Sequence, residues 1–335
     1  MKIAILGDGG WGTALAILLS RLDAQICLWG AFPEYVSFLD RERENKKFLP
    51  GVKIPSKVII LSNINKAIDK AEIVILAIPA KFMRSVLRRI KEVSFKGRII
   101  VSATKGLEQE SLKLMSEVIK EELREAERLC ILSGPSHAEE VARNVPTAVV
   151  VASSQKETAQ KIQHLFSCES FRVYTSTDVI GVQVGGALKN VIAIAVGMCD
   201  GLGLGANSKS ALITRGLAEI KRLGEQMGAF PSTFAGLSGM GDLVGTCFSG
   251  YSRNRKLGEE IGKGRRLEEV LSRTEMVVEG VNTLKAVIKL CKRYKVEMPI
   301  SQEVSAVLFK NKSPRQAVKD LMLREIKEED ENCAG

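Results

Sequence analysis

An α/β domain with a mainly parallel, doubly wound sheet, followed by an all-α domain, is the fold class this sequence predicts. Three observations predict it. Short β-branched runs, apolar on both faces, alternate with amphipathic stretches through the first half. A glycine-rich fingerprint joins the first such run to the first helical pattern. After about Thr177 the strand signals stop, and helical patterns separated by glycine-rich joints follow.

The elements fall in order. With 335 residues the chain is too long for one ordinary core, and it divides at the change of character into residues 1–177 and 178–335. Strands are expected at 2–6, 25–29, 58–61, 73–78, 98–103, 129–133 and 147–152, with helices at 11–22 and 111–126 among the connections. Strands this apolar need helices over both faces of the sheet, so parallel pairing is expected. The second part reads as helices at 179–198, 208–227, 253–262, 280–294 and 302–308. Glycine-rich joints stand at 201–205 and 236–245, and the polar, acidic tail at 327–335 is expected to fray.

Composition narrows the function. Hydrophobic residues make up 45% and charged residues 26%, as in a folded globular protein. The net charge of +10, from 49 basic and 39 acidic side chains, suits a phosphorylated metabolite. It lacks the arginine-rich arm, zinc-ligand spacing or aromatic-basic interleaving of a nucleic-acid binder, so no nucleic-acid partner and no metal are expected. Cys27, Cys130, Cys168, Cys199, Cys247, Cys291 and Cys333 include no CxxC pair and read as reduced thiols. The N-terminus opens directly on a strand pattern without a signal peptide, and a cytoplasmic location is expected. Residues 179–198 imitate a membrane span but carry Gln183, Lys189 and Asn190 at their centre. A lysine at mid-membrane costs at least ~2.5 kcal/mol, so a buried helix of a soluble protein is the better reading.

The fingerprint Gly7-Asp8-Gly9-Gly10-Trp11-Gly12 is a G-x-G-x-x-G placed after a strand and before a helix, the context in which it binds a dinucleotide. Gly7 permits the tight turn, Gly9 lets backbone approach a pyrophosphate, and Gly12 lets helix and strand pack closely. The free N–H groups at the helix start then face the anion. A Rossmann-type domain holding NAD or NADP follows. Choice between the two cofactors is made at the end of the second strand, where the chain reads Trp29-Gly30-Ala31-Phe32. Neither an acid for a ribose 2′-hydroxyl nor an arginine for a 2′-phosphate stands there. Arg41, Arg43 or Lys46 could fold back or could remain solvated, and the sequence leaves this open.

Two later loops lie where ligands bind such sheets, outside the carboxyl ends of strands. One is Ser102-Ala103-Thr104-Lys105-Gly106-Leu107, whose lysine points into the cleft and can hold an anion. The other is Ser133-Gly134-Pro135-Ser136-His137-Ala138, whose small residues can line a nicotinamide. Taken singly each is as readily a plain loop.

The sharpest signal in the second half is Gly185-Gly186-Ala187-Leu188-Lys189-Asn190-Val191-Ile192. An ammonium inside an otherwise apolar helix must meet a carboxylate, a ligand or water. Gly185 and Gly186 flank it at helical spacing, each weakening the helix by ~1 kcal/mol against alanine, and room for something to approach the lysine is the expected return. Burial near Lys105 should lower the Lys189 pKa from its reference of ~10.4, while a carboxylate such as Asp242 should oppose that. Snorkelling or a structural ion pair would also account for such a lysine.

Asp242 emerges from the glycine-rich turn before Thr246, able to pair with a lysine or to cap a helix. Ser252-Arg253-Asn254-Arg255 opens another helix, with Ser252 a fair N-cap and Arg253 beside the helix start, an arrangement that suits a phosphate. The only histidines are His137 and His164, so a His-Asp proton relay has one loop candidate, His137, and lysine chemistry is favoured.

These motifs resemble, in one order along nearly the whole chain, those of the bacterial NAD(P)-dependent glycerol-3-phosphate dehydrogenases. The matching segments are 7–14 (GDGGWGTA), 48–51 (FLPG), 103–107 (ATKGL), 133–138 (SGPSHA), 185–193 (GGALKNVIA), 201–206 (GLGLGA), 212–219 (LITRGLAE), 241–247 (GDLVGTC), 252–255 (SRNR) and 277–280 (VVEG). The resemblance implies that Lys189 gives and takes the proton, assisted by Lys105, Asp242, Asn190 and Thr246. It implies substrate contacts from Lys105, Gly134, Ser136, Lys189 and Asp242, with Ser252, Arg253 and Asn254 on the phosphate. It sets Gly7, Gly9, Gly10, Trp11, Gly12, Phe32, Lys105, Gly134, Ala138, Arg253, Val277 and Glu279 around the cofactor. Two positions depart from the family: Gly10 is commonly serine there, and Ala31 stands where arginine is often seen, which weakens a claim for NADP.

The reaction implied is reversible hydride transfer between NAD(P)H and dihydroxyacetone phosphate, giving sn-glycerol 3-phosphate for glycerophospholipids, in a homodimer. One rival is a lysine-dependent dehydrogenase of a β-hydroxy acid or sugar-acid phosphate. Another, of a different class, is a silent dinucleotide sensor whose helical part serves assembly.

Overall fold

The computed structural model describes residues 1–273, 277–326 and 328–329; Cys333 and most of the 327–335 tail lie outside them. Eight strands form one sheet: β1 (Lys2–Leu6), β2 (Gln25–Trp29), β3 (Val58–Leu61), β4 (Ile73–Leu76), β5 (Ile99–Ser102), β6 (Arg128–Ser133), β7 (Thr147–Ala152) and β8 (Phe171–Ser176). Their order is β3-β2-β1-β4-β5-β6-β7-β8, and every pair is parallel except β6 with β7. The order reverses between β1 and β4, which opens a crevice at their carboxyl ends.

The helices of this part are α1 (Gly10–Leu19), α2 (Pro33–Glu42), α3 (Ile64–Ile68), α4 (Met83–Arg88), α5 (Met115–Glu122), α6 (Ala138–Val141) and α7 (Lys156–Phe166). Strand side chains alternate between the two covered faces. Ile3 and Ile5 pack with Leu15, Leu39 and Phe166 on one side; Ala4 and Leu6 pack with Met83, Leu87 and Ile119 on the other. Two features were not expected. The β6–β7 link carries only the four-residue α6, too short a helix to cover the sheet as a crossover, and β7 returns antiparallel. β8 is an additional edge strand whose Arg172 and Tyr174 point outward, so it lacks the continuous apolar run that marks the others.

Beyond β8 the chain is helical: α8 (Val179–Gly201), α9 (Ala206–Gln226), α10 (Asp242–Phe248), α11 (Arg253–Gly262), α12 (Leu267–Ser272), α13 (Glu279–Tyr294), α14 (Pro299–Phe309) and α15 (Pro314–Met322). α8 is the axis of this part, with every residue from 181 to 199 buried by protein. It crosses α11 with the backbones in contact. A β-carbon at Gly197 would come within 2.0 Å of the Arg255 carbonyl oxygen, and one at Gly258 within 2.0 Å of that of Ile194. The short helices α10, α12 and α15 escape the sequence reading, and the turn Leu237–Gly241 before α10 is wound wider than an α-helix.

Candidate active site

The carboxyl end of β1 delivers the fingerprint to the crevice. Gly7 takes the tight turn at φ +118°, where only glycine is comfortable. A β-carbon at Gly12 would lie 1.8 Å from the Gly7 carbonyl oxygen, so the close packing of helix on turn requires glycine. Gly9 faces open space. It is the N-cap of α1 and offers no side chain to the helix start, so the first N–H groups are left for an anion. Buried Asn45 braces the loop, its Nδ2 donating to the Asp8 carbonyl (2.8 Å) and to Thr13 Oγ1 (2.7 Å). Trp11 Nε1 is buried without a partner. An open glycine, free helix-start donors and an orphaned indole N–H fit a dinucleotide.

Gly10 has a local reason for departing from serine. Its β-carbon would approach the Phe48 carbonyl oxygen to 2.5 Å, and would lie 3.7 Å from Ala138 Cβ. The Phe48-Leu49-Pro50-Gly51 segment thus presses on the fingerprint. Phe32, three residues past β2, is 71% exposed and leaves an aromatic face at that end of the crevice.

The centre of the site is a pair of lysines on one carboxylate. Lys189, 6% exposed on α8, donates to Asp242 Oδ1 and to Thr246 Oγ1 (2.7 Å). Lys105, from the loop after β5, lies 2.8 Å from Asp242 Oδ2 and donates to the Gly134 carbonyl (2.7 Å) and to Ser136 Oγ (3.3 Å). Asp242 begins α10 and leaves its capping role empty, which settles pairing over capping. Burial drives the Lys189 pKa down to about 8; Asp242 opposes this and the Lys105 charge assists it.

The room expected at the flanking glycines is there, and protein segments occupy it. A β-carbon at Gly185 would strike the Ser238 carbonyl (2.5 Å) on the turn carrying Asp242, and one at Gly186 would strike Ser133 Oγ (2.6 Å) near Lys105. The two glycines bring the lysine's partners to it.

At the next residue of α8, Asn190 Oδ1 accepts from Asn254 Nδ2 (2.9 Å), and Asn254 Oδ1 accepts from the Gly280 N–H (2.9 Å). This chain fixes α8, α11 and the start of α13 together. Asn254 therefore commits one amide hydrogen and its side-chain oxygen to the scaffold. Ser252 Oγ caps α11 by accepting from the Arg255 N–H (3.2 Å). Arg253 is exposed and donates to the Val277 carbonyl (3.0 Å). Glu279 joins the halves: its Oε1 accepts from the Ala80 N–H (3.1 Å), while Oε2 is buried without a partner. Burial raises its carboxyl to about 6. His137 Nε2 meets the Gly245 carbonyl (3.4 Å) rather than a carboxylate, and burial with the Lys189 charge lowers its pKa.

Comparison with known proteins accounts for this arrangement. Residues 2–159 match the family described as NAD-dependent glycerol-3-phosphate dehydrogenase N-terminus, and residues 178–319 match the C-terminus of the same family. The chain belongs to the NAD-dependent glycerol-3-phosphate dehydrogenase family. A glycerol-3-phosphate dehydrogenase [NAD(P)+] of Pelotomaculum thermopropionicum is 51% identical, over 96% of this chain and 93% of its own length. Another from Chlorobium phaeobacteroides is 50% identical over 98% and 99%. The crystal structure of glycerol-3-phosphate dehydrogenase from Coxiella burnetii superposes with a TM-score of 0.92 at 35% identity, covering 96% of this chain and 99% of that one. Within this family's frame, the sequence reading missed Asn45, the Asn190–Asn254–Gly280 relay and the carboxylate of Asp8. Asn190 and Asn254 stand in the segments GGALKNVIA and SRNR, but nothing in either segment marks their pairing, and Asn45 carries no signal in the sequence.

Proposed function

We propose that this protein interconverts dihydroxyacetone phosphate and sn-glycerol 3-phosphate with NAD(P)H as partner. The observation that carries the reading is the buried Lys189 amine sharing Asp242 with Lys105. A nicotinamide held in the crevice would supply or remove the hydride at the substrate's C2. In the reducing direction the Lys189 ammonium donates its proton to the carbonyl oxygen and becomes the amine; in the oxidising direction the amine takes it back. A pKa of about 8 lets both forms exist near neutral pH. Lys105 stabilises the developing alkoxide, and Asp242 with Thr246 orients the Lys189 amine.

Ser136 and the Gly134 carbonyl position Lys105 against the substrate. Arg253 and the backbone N–H groups at the start of α11, capped by Ser252, receive the phosphate and fix a short substrate in reactive geometry. Asn190 acts by holding the phosphate helix in register with Lys189. The fingerprint with Phe32, Ala138, Val277 and Glu279 surrounds the cofactor. Exposed Met322, Leu323 and Ile326 give the helical part an apolar surface suited to a homodimer. The functional division falls between 177 and 178, where strands give way to α8. A cytoplasmic role in supplying glycerophospholipid backbones agrees with the unpaired thiols of Cys27, Cys130, Cys168, Cys199, Cys247 and Cys291.

The test is to give purified protein dihydroxyacetone phosphate with NADH and with NADPH in parallel and follow loss of the reduced-nicotinamide absorbance. Turnover with the phosphorylated ketone is expected. Oxidation only with a β-keto acid, or with no substrate of either kind, overturns the proposal.

A further inference from the structure

Asp8, the second residue of the fingerprint, occupies the place an acid at the end of β2 would serve. Gly30 follows β2 directly, and a β-carbon there would come within 2.3 Å of Asp8 Oδ2 and 2.7 Å of its carboxyl carbon. The carboxylate therefore reaches the strand end through the gap that Gly30 leaves. Its Oδ2 is buried and has no hydrogen-bond partner, although the residue as a whole is only half-buried. Burial raises the carboxyl above its ordinary range, as for a group that still lacks a donor.

In sheets of this order the adenosine ribose lies at the end of β2, where an acid accepts from the 2′-hydroxyl and a cation accepts a 2′-phosphate. Trp29-Gly30-Ala31-Phe32 brings neither. The three nearby cations, Arg41, Arg43 and Lys46, are all engaged. Arg41 pairs with Glu42 (3.1 Å), and Lys46 pairs with the same Glu42 (3.0 Å). Arg43 pairs with Asp40 (2.5 Å) and donates to the Val58 carbonyl (2.7 Å). A 2′-phosphate arriving here meets a carboxylate and displaces ion pairs; a 2′-hydroxyl meets an acceptor in want of a donor.

We propose that Asp8 is the residue that sets cofactor preference, selecting the unphosphorylated adenosine ribose of NAD(H) over NADP(H). The proposal rests on the dinucleotide reading of the crevice. A hydrogen bond to a charged acceptor corresponds to about 10- to 150-fold in affinity, and repulsion of the phosphate adds to the difference.

Calorimetric titration of the full chain with NADH and, separately, NADPH tests this without turnover. The wild type is expected to bind NADH at least about ten-fold more tightly. Asp8→Asn and Asp8→Ala should bring the two affinities close together, by weakening NADH and strengthening NADPH. Gly30→Ala, which displaces the carboxylate without altering it, should narrow the ratio likewise. Equal affinities in the wild type, or NADPH the tighter, overturn the proposal even if no variant folds. A ratio unchanged in folded Asp8 variants also overturns it. Failure of either cofactor to bind the wild type defeats the dinucleotide reading itself, and the proposal with it.

Discussion

Asp242→Asn removes the charge that two ammonium groups share and leaves the shape of the site nearly unchanged. Asp242 is almost fully buried, in contact with Lys189 and 2.8 Å from Lys105. At an effective dielectric of about 20, opposite charges at contact distance attract by about 4 kcal/mol, and such a partner moves a pKa by about 1–3 units. Lys189 stands at about 8 with Asp242 in place. Without it, burial and the now unbalanced Lys105 charge both act downward. Carbonyl reduction needs the ammonium, so wild-type kcat should fall as pH rises through about 8. In Asp242→Asn that alkaline limb should move toward acid by about 1–3 pH units. Oxidation needs the free amine, so its rise with pH should begin correspondingly lower. The assay is kcat against pH in both directions at saturating cofactor and substrate, with circular dichroism to verify folding. An alkaline limb in the same place for wild type and folded variant refutes the reasoning.

Arg253→Ala should raise KM for dihydroxyacetone phosphate roughly 10- to 150-fold, the worth of about 1.5–3 kcal/mol for charged hydrogen bonds, and leave kcat/KM for unphosphorylated dihydroxyacetone unchanged. Steady-state kinetics on the two ketones reads this directly. Gly197→Ala forces a methyl group into the Arg255 carbonyl at the α8–α11 crossing and should cost about 1–3 kcal/mol, seen as a Tm lowered by about 2–4 °C per kcal/mol. Glu219 is buried and accepts from the Ile300 and Ser301 N–H groups at the start of α14, and burial raises its carboxyl to about 7. Between the ordinary carboxylate range and about 7 the folded state holds this proton and the unfolded state does not, so this group makes stability fall as pH rises through that window. Glu219→Gln should flatten that slope in urea melts taken at several pH values.

The sheet was legible where short β-branched strands are apolar on both faces, because such strands need helices over both sides of a parallel sheet. β8 was not, since its outward Arg172 and Tyr174 break the run, and the antiparallel return of β7 depends on a connection too short to read as a crossover. Long helices announced themselves by period; α10, α12 and α15 are short, and their burial comes from neighbours rather than from pattern. Within the site, Lys189 was legible because an ammonium in an apolar helix demands a partner. That the partner is Asp242, and that Lys105 takes its other oxygen, depends on three segments far apart in sequence. Gly185 and Gly186 were rightly flagged as making space, but only coordinates show that Ser238 and Ser133 use it. The fingerprint marks where a dinucleotide is expected. Asp8 stood at one of its unspecified positions, and its meaning depends on Gly30 alongside.

The central claim is that the Lys189 amine carries the proton. The most direct measurement compares single-turnover reduction of dihydroxyacetone phosphate by wild type and Lys189→Ala, each preloaded with NADH whose binding is measured on the same samples. General acid–base groups contribute about 10²–10⁴-fold, so the account predicts a loss of that size with NADH affinity retained. A variant that turns over at close to the wild-type rate would contradict it.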